Sequence, residues 1–401
     1  MPHSLLGRIT LGYEPVWGPQ RQRIAIRLWL EPEAHAGVQA RHLLATLGEL
    51  WPARAGPLLL SLRDEALQDD LLEQAPVPGL WLEIPQRRLA DARWAQRVRQ
   101  AHARGWPLVW RGGPGQAPSA AAQPCFHTTV RSLTPQEALA ALRAARTPAA
   151  GAHRPASPVV GASLYEGLPS AALAAHALDQ QGAQGVLGWP TEEVLHGYRF
   201  RQIQPARSVL LALLQGVDAD ASLDHLTQGL GEEPLLSYRF LRYANSAGLG
   251  LPGGVASVRQ GLMALGYGPL RAWLLAQLPH ASTDPNLAPI RAHMVLRARI
   301  MEQLADAGLE SELRREAFLC GIFSQMDLLL GEPLGHAMHH LPLPGRLASA
   351  IVGRTGPYAA WLDVAAALES GSTRLVREVC RAHRMAAVDV NRALLRTLAA
   401  A

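Results

Sequence analysis

The chain has 401 residues, enough for two domains that each bury a core, with 48% hydrophobic residues and a mean hydropathy near zero. No apolar run approaches the ~20 residues a bilayer-crossing helix needs, and the opening MPHSLLGRITLGYEP lacks the plan of a secretion signal, so a cytoplasmic protein is expected. The net charge is +5, yet all 38 basic residues are arginine, scattered among acids and not interleaved with aromatics, so nucleic acid is not the expected partner.

Up to about residue 200, short apolar runs alternate with helix-like stretches. Residues 24–30, 57–62, 80–84, 107–110, 158–161 and 185–189 read as buried strands, and 37–50, 89–103, 135–145 and 170–181 as helices between them. This alternation predicts a parallel α/β arrangement that can close into a barrel. Segments 112–124 and 147–157 are rich in Gly, Pro, Ala and Ser and read as loops. Cys125, Cys320 and Cys380 stand far apart and in no C-x-x-C arrangement, as reduced, packed thiols would.

The join falls near 197–205, and everything after it reads as helix. Segments 206–215 and 222–231 come first, the second with Leu223, Leu226 and Leu230 on one face. Pro234 then suits the first position of a helix, with Glu232 and Glu233 at its positive end. Leu236, Phe240, Tyr243 and Ala244 recur at helical spacing, leaving Arg239 and Arg242 to solvent, and Asn245, Ser246 and Gly248 end the helix. After a Pro252-Gly253-Gly254 turn, Ser257 and Gln260 form an S-x-x-Q capping box before a second helix with Leu262 and Leu265, closed by Gly266. Further helices are expected at 288–307, 312–331, 358–369, 373–383 and 389–400. His336 and His340, four apart, would share a helix face as zinc ligands do, but two nitrogens without a third ligand make no site.

The helix pair carries a family resemblance. Glu233-Pro234-Leu-Leu-Ser, Leu241-Arg-Tyr-Ala-Asn245-Ser246, Val255-Ala-Ser257-Val258 and Ala264-Leu265-Gly266 are similar in order and spacing to HDOD domains. The similarity continues through Ala317-Phe318-Leu-Cys-Gly321, Leu341-Pro342-Leu343 and Ala365-Ala366-Ala367-Leu368-Glu369. The resemblance implies an HD-like helical bundle without the metal-binding residues of HD phosphohydrolases. The position of their His-Asp pair falls near Ser324-Gln325, with Asp327 lacking a preceding histidine, while His293 stands near their first histidine.

With that module behind it, the N-terminal half resembles a degenerate EAL domain, the barrel that hydrolyses cyclic di-GMP in active members. Tyr13-Glu14-Pro15-Val16, Leu82-Glu83-Ile84 and 182–189 carry the likeness. The resemblance also shows erosion. Arg27-Leu28-Trp29 stands at the family's namesake motif, Ser61 at an asparagine ligand, Gln86 at a second acid and Trp110-Arg111-Gly112 at the paired aspartates. Cys125-Phe-His127-Thr-Thr stands where the family has its lysine, and Gly161-Ala162-Ser163-Leu164-Tyr165 stands at its late A-E-G-V-E motif, with Glu166 adjacent and a register slip of one open. One surviving carboxylate cannot hold two hard cations, so no enzyme is expected. Arg27, Arg87, Arg88 and Arg111 remain candidates for phosphate contacts, with Trp29 and Trp110 for stacking on guanine. Arg111-Gly112-Gly113-Pro114-Gly115 lacks the G-K-[ST] of a phosphate loop.

The expected organisation is a multidomain α/β plus all-α protein: residues 1–200 a degenerate EAL-type (β/α) barrel, short enough to lack a strand or helix, and 201–401 an HDOD bundle. The expected role is a non-catalytic bacterial signalling scaffold that binds a protein partner, with homodimerisation possible. No residue is assigned as catalytic, cofactor-binding or metal-ligating, and no cofactor is expected. The alternatives are a cyclic di-GMP receptor and, behind it, a residual cyclic di-GMP phosphodiesterase.

Overall fold

The structure, a computed structural model, describes residues 5–33, 37–146, 156–246, 254–305 and 311–400. Gly248, Pro252 and Gly253 of the expected turn, the helix end at 306–307 and the loop residues 147–155 lie outside them. The chain forms two compact units, Met1–Glu193 with Ala367–Ala401, and Val194–Ala366. This division differs from the expected 1–200 and 201–401 mainly in its last segment, which groups with the barrel.

Eight strands close the first unit: β1 (Ile9–Trp17), β2 (Arg23–Pro32), β3 (Leu58–Leu62), β4 (Leu80–Pro85), β5 (Leu108–Arg111), β6 (Thr128–Arg131), β7 (Leu164–Glu166) and β8 (Gly185–Leu187). β1 runs antiparallel to both β2 and β8, and all other neighbours are parallel. The barrel is therefore complete, against the expectation that a strand could be missing. The parallel strands are continuous apolar runs because helices cover one face and the barrel interior the other; Leu58–Leu62 is buried at all five positions. Residues 158–161, expected as a strand, are not one. The Tyr165 hydroxyl accepts from Val160 N–H (2.7 Å) and donates to its carbonyl (3.2 Å), so this segment bonds to a side chain instead of a strand. Helix Glu65–Glu73 was not foreseen, although its N-cap Asp64, accepting from Leu67 N–H at 2.7 Å, is legible in sequence.

The helix after β8, Thr191–His196, has only six residues. Helix Ala387–Ala400 packs on β1 and helix Ala40–Leu50, burying Val390, Leu394, Leu395 and Leu398. The buried Asn391 amide donates to the carbonyls of Leu6 and Ile9, both at 2.8 Å, so both of its N–H donors are matched. Helix Thr373–Ala382 is held to the end of β2 by Glu31, which accepts from Thr373 and from Arg377 (2.5 Å). Asn391→Leu keeps the volume but orphans two carbonyls. We expect a loss of about 1–3 kcal/mol of stability, read by urea denaturation followed by tryptophan fluorescence.

In the second unit, the expected helix pair is present as Pro234–Ala244 and Val258–Leu265. Asn245 joins the two. Its amide donates to the carbonyls of Leu241 and Val255 and its oxygen accepts from Val255 N–H, at 2.7–2.8 Å. Ser257 caps the second helix as foreseen, accepting from Gln260 N–H at 3.2 Å, but the return bond to Gln260 comes from Ala256 N–H (3.2 Å), one residue early. Gly266, at φ 74°, turns the chain directly into an unforeseen helix, Tyr267–Gln277, whose Trp273 stacks on Tyr243. Arg239 is not on the solvent side; it donates to Gln204 (2.9 Å) and Gln277 (3.2 Å).

The expected helix 312–331 is broken into Ser311–Phe323 and Met326–Leu330, because the Ser324 hydroxyl donates back to the Gly321 carbonyl at 2.8 Å. Gly321 is the close-approach point with helix Ala288–Leu304: a Cβ there would lie 2.4 Å from Ala298 Cα. Gly321→Ala should cost about 1–3 kcal/mol, as overpacking against backbone does, and thermal denaturation measures it. Glu316 is gripped by Arg346 (2.7 Å to each oxygen) and Tyr358 (2.6 Å), and the Arg346 bond holds its carboxyl below the usual value. Its stabilisation is thus present above the usual pKa of 4.5 and lost as pH falls through the depressed value. The stability gap between wild type and Glu316→Gln should close on acidification. A gap unchanged between pH 6 and pH 3 would contradict this.

Candidate functional site at the barrel mouth

The barrel interior is plugged by an apolar layer of Val16, Ala25, Leu59, Val109, Val130, Leu164 and Leu187, one from each strand but β4, where Trp81 packs against it. Side chains two apart on a strand share a face. The residues two steps from the plug toward the ends of the parallel strands are Glu14, Arg27, Ser61, Glu83, Arg111, Ser132, Glu166 and Trp189. Strand period thus brings these side chains, all but Trp189 polar, to one inner face as a ring above the apolar floor.

Arg27 is its centre and is almost wholly buried, at 2% side-chain exposure. Its guanidinium donates to Glu83 (2.5 Å) and Glu166 (2.9 Å) and lies 3.5 Å from Glu14, the residue it pairs with across β1 and β2. Arg111 donates to Glu166 (3.1 Å) and approaches Glu83 (3.6 Å), while Ser61 and Ser132 hydroxyls donate to Glu83 (2.9 Å) and Glu166 (3.1 Å). Burial alone would lower the Arg27 pKa, but the charges of Glu83, Glu166 and Glu14 outweigh it and raise it. Burial would raise Glu166, yet Arg27 and Arg111 hold its carboxyl below the usual range. Burial raises Glu14, which Arg27 only partly offsets. With all five groups ionised, two guanidiniums face three carboxylates, and the ring carries a net charge of −1.

The candidates from sequence separate into two groups. Arg27 and Arg111 stand in the ring, and Trp29 lies beside it, with the Arg27 guanidinium 5.6 Å from its ring centre. Arg88 instead bonds Asp69 (2.7 Å) and stacks on Trp94, and Arg87 lies exposed near Glu65 (3.6 Å). Trp110, fully buried, is on the opposite face from Arg111 and donates to Gln86 at 2.5 Å. The count of one carboxylate is corrected to three. Glu166 closes β7 (Leu164–Glu166), one residue past the place the late motif gives its glutamate, and Glu14 joins the ring through its pairing with Arg27 across β1 and β2.

An EAL barrel implies two divalent cations. A buried guanidinium within 3.5 Å of all three carboxylates already matches their charge, so the ring with Arg27 in this place does not fit a metal pair. Among the described residues no group of three or more His, Cys, Asp or Glu is gathered to hold a metal ion. In the second unit, Ser324 is buried and lies 3.5 Å from Arg297, itself buried, one helical turn beyond His293. The rings of His336 and His340 meet edge to face at 5.1 Å, with Glu332 3.5 Å from His336. Among the described residues no helix is long and apolar enough to cross a membrane.

The HDOD domain model matches residues 205–331. The chain is 24% identical over 181 residues to the cyclic di-GMP phosphodiesterase CdgJ of Vibrio cholerae, covering 45% of this chain and 42% of that protein. It is 25% identical over 158 residues to the uncharacterized protein YuxH of Bacillus subtilis, covering 38% and 37%. The matches thus span well under half the length of these curated relatives. Among solved structures, the MmoQ response regulator of Methylococcus capsulatus is 20% identical, with a TM-score of 0.41 over 49% of this chain and 99% of that one. The expectation that the chain is no enzyme is corrected by the Vibrio relative, which bears the name of a phosphodiesterase.

Proposed function

Starting from an EAL-type barrel joined to an HDOD domain at residues 205–331, we propose that this is a regulatory protein of cyclic di-GMP signalling that holds a protein partner through its HDOD unit, in the cytoplasm. The observation that carries the reading is Arg27. A cation built into the chain satisfies the carboxylates of the barrel mouth, whereas the HDOD signature, with Asn245 at the joint of its helix pair, is intact. To test it, the full-length protein is purified by affinity from its native cells beside the Asn245→Ala variant. A discrete partner should accompany the wild type and be lost from the variant, with the barrel still folded. Equal recovery from both would sink the proposal.

A second reading is favoured by the Vibrio relative's name. It has cyclic di-GMP bound at the mouth and hydrolysed there. Incubation with cyclic di-GMP and magnesium or manganese, followed by chromatography, reads it. A linear dinucleotide formed by wild type and abolished in Glu83→Gln would support this reading, and product formed equally by both would contradict it.

A further inference from the structure

Within the HDOD unit, four helices converge on a cavity of about 300 Å³: Leu223–Gly231, Val258–Leu265, Ala288–Leu304 and Ser311–Phe323. Gly231, Val258, Phe318 and Leu319 give it an apolar floor, and Arg259, Arg299 and Arg315 stand around it with Asp224 and Glu302. Resting on the reading of this unit as a partner-binding module, we propose that the cavity receives a bulky apolar side chain of an acidic peptide segment, whose carboxylates engage the three arginines.

Three observations support this occupant. First, the volume suits one large side chain, not a folded surface. Secondly, the neighbouring polar groups are consumed internally: Ser257 caps Gln260, the Thr227 hydroxyl donates to the Leu223 carbonyl (2.7 Å) and the Gln228 amide reaches Glu232 (3.5 Å). A floor without free hydrogen-bonding edges, with Phe318 as its single aromatic, favours aliphatic or aromatic side chains over a nucleobase, which is read through hydrogen bonds and stacking. Thirdly, two of the three rim arginines are matched to carboxylates that an acidic partner can replace: Arg259 pairs with Asp224, which is 81% exposed, and Arg299 with Glu232 (3.3 Å), 52% exposed. Exposed pairs of this type are weak, so a partner's carboxylates seated beside the apolar floor, where docking excludes water, displace them and make stronger pairs, while the apolar burial adds to the gain. Met263, 67% exposed, lies one helical turn from Arg259 on the same helix and extends the apolar surface beyond the rim.

The test pans a random dodecapeptide display library against the full-length protein, with the Arg259→Glu/Arg315→Glu double variant as the counter-target. Both substitutions are on the surface, and circular dichroism with thermal denaturation checks the fold. Enriched peptides should place Asp or Glu around a Phe, Leu, Ile or Met, and a chosen peptide should bind the double variant at least tenfold more weakly. Enrichment without acidic bias, equal binding to both proteins, or no enrichment would overturn the inference. The readings fail separately. If the double variant retains the partner that co-purifies with wild type, the cavity is not the docking surface and the scaffold reading stands. If no partner accompanies wild type, the scaffold reading itself falls.

Discussion

Replacement of Arg27 by alanine is expected to cost the barrel unit about 3–5 kcal/mol, because it leaves Glu83 and Glu166 facing each other in a nearly dry ring without their principal counter-charge. The loss should show as a drop in the barrel's melting transition. It should also carry a signature that simple cavity formation does not. With the guanidinium gone, three carboxylates face the space it filled without that counter-charge, so millimolar magnesium or manganese should restore part of the lost stability in Arg27→Ala. The same ions should leave the wild-type transition almost unchanged. A cation-independent variant would show that the carboxylates relax apart, and that Arg27 holds a shape and not an ion position.

The second large effect is expected in the HDOD unit. Glu233 is fully buried and serves as N-cap of helix Pro234–Ala244, accepting from Leu236 N–H at 2.5 Å, while it pairs with Arg291 at 2.8 Å. Burial raises its pKa, with the Arg291 charge pulling against that rise. Glu233→Ala removes a cap worth about 1 kcal/mol and strands a buried guanidinium, for a total of about 3–5 kcal/mol. Glu233→Gln keeps a cap oxygen but not the charge and should fall between. If Gln and Ala are equally damaging, the ion pair dominates; if Gln matches wild type, the cap does. Chemical denaturation of the three proteins decides between them, and a loss below 1 kcal/mol in Glu233→Ala would contradict both.

Both centres show what this sequence discloses and what it withholds. Runs such as Leu58–Leu62 and the Pro234-to-Gly266 pair were legible because burial and capping act over a few residues. The barrel-mouth ring was half legible. Arg27, Arg111 and Glu83 stood out by type and place, but the Glu166 contribution depends on β7 starting at Leu164, and a three-residue strand gives no periodic signal. The pairing of Glu14 with Arg27 follows from an antiparallel β1, whose direction the alternation of apolar runs does not encode. Least legible was helix Ala387–Ala400. Its apolar stripe was plain, but an amphipathic helix does not say which surface it covers, and its docking on β1 spans nearly the whole chain.

The proposed contact of the HDOD unit with a protein partner is open to direct test. A photoreactive amino acid placed singly at Gln228, Met263 or Arg315 in native cells tests this most directly, beside controls at exposed barrel positions Arg87 and Leu139. Light-dependent adducts with one discrete protein from the HDOD positions, absent at the barrel positions, are the predicted result. Adducts confined to the barrel positions, or none at any position, would contradict it.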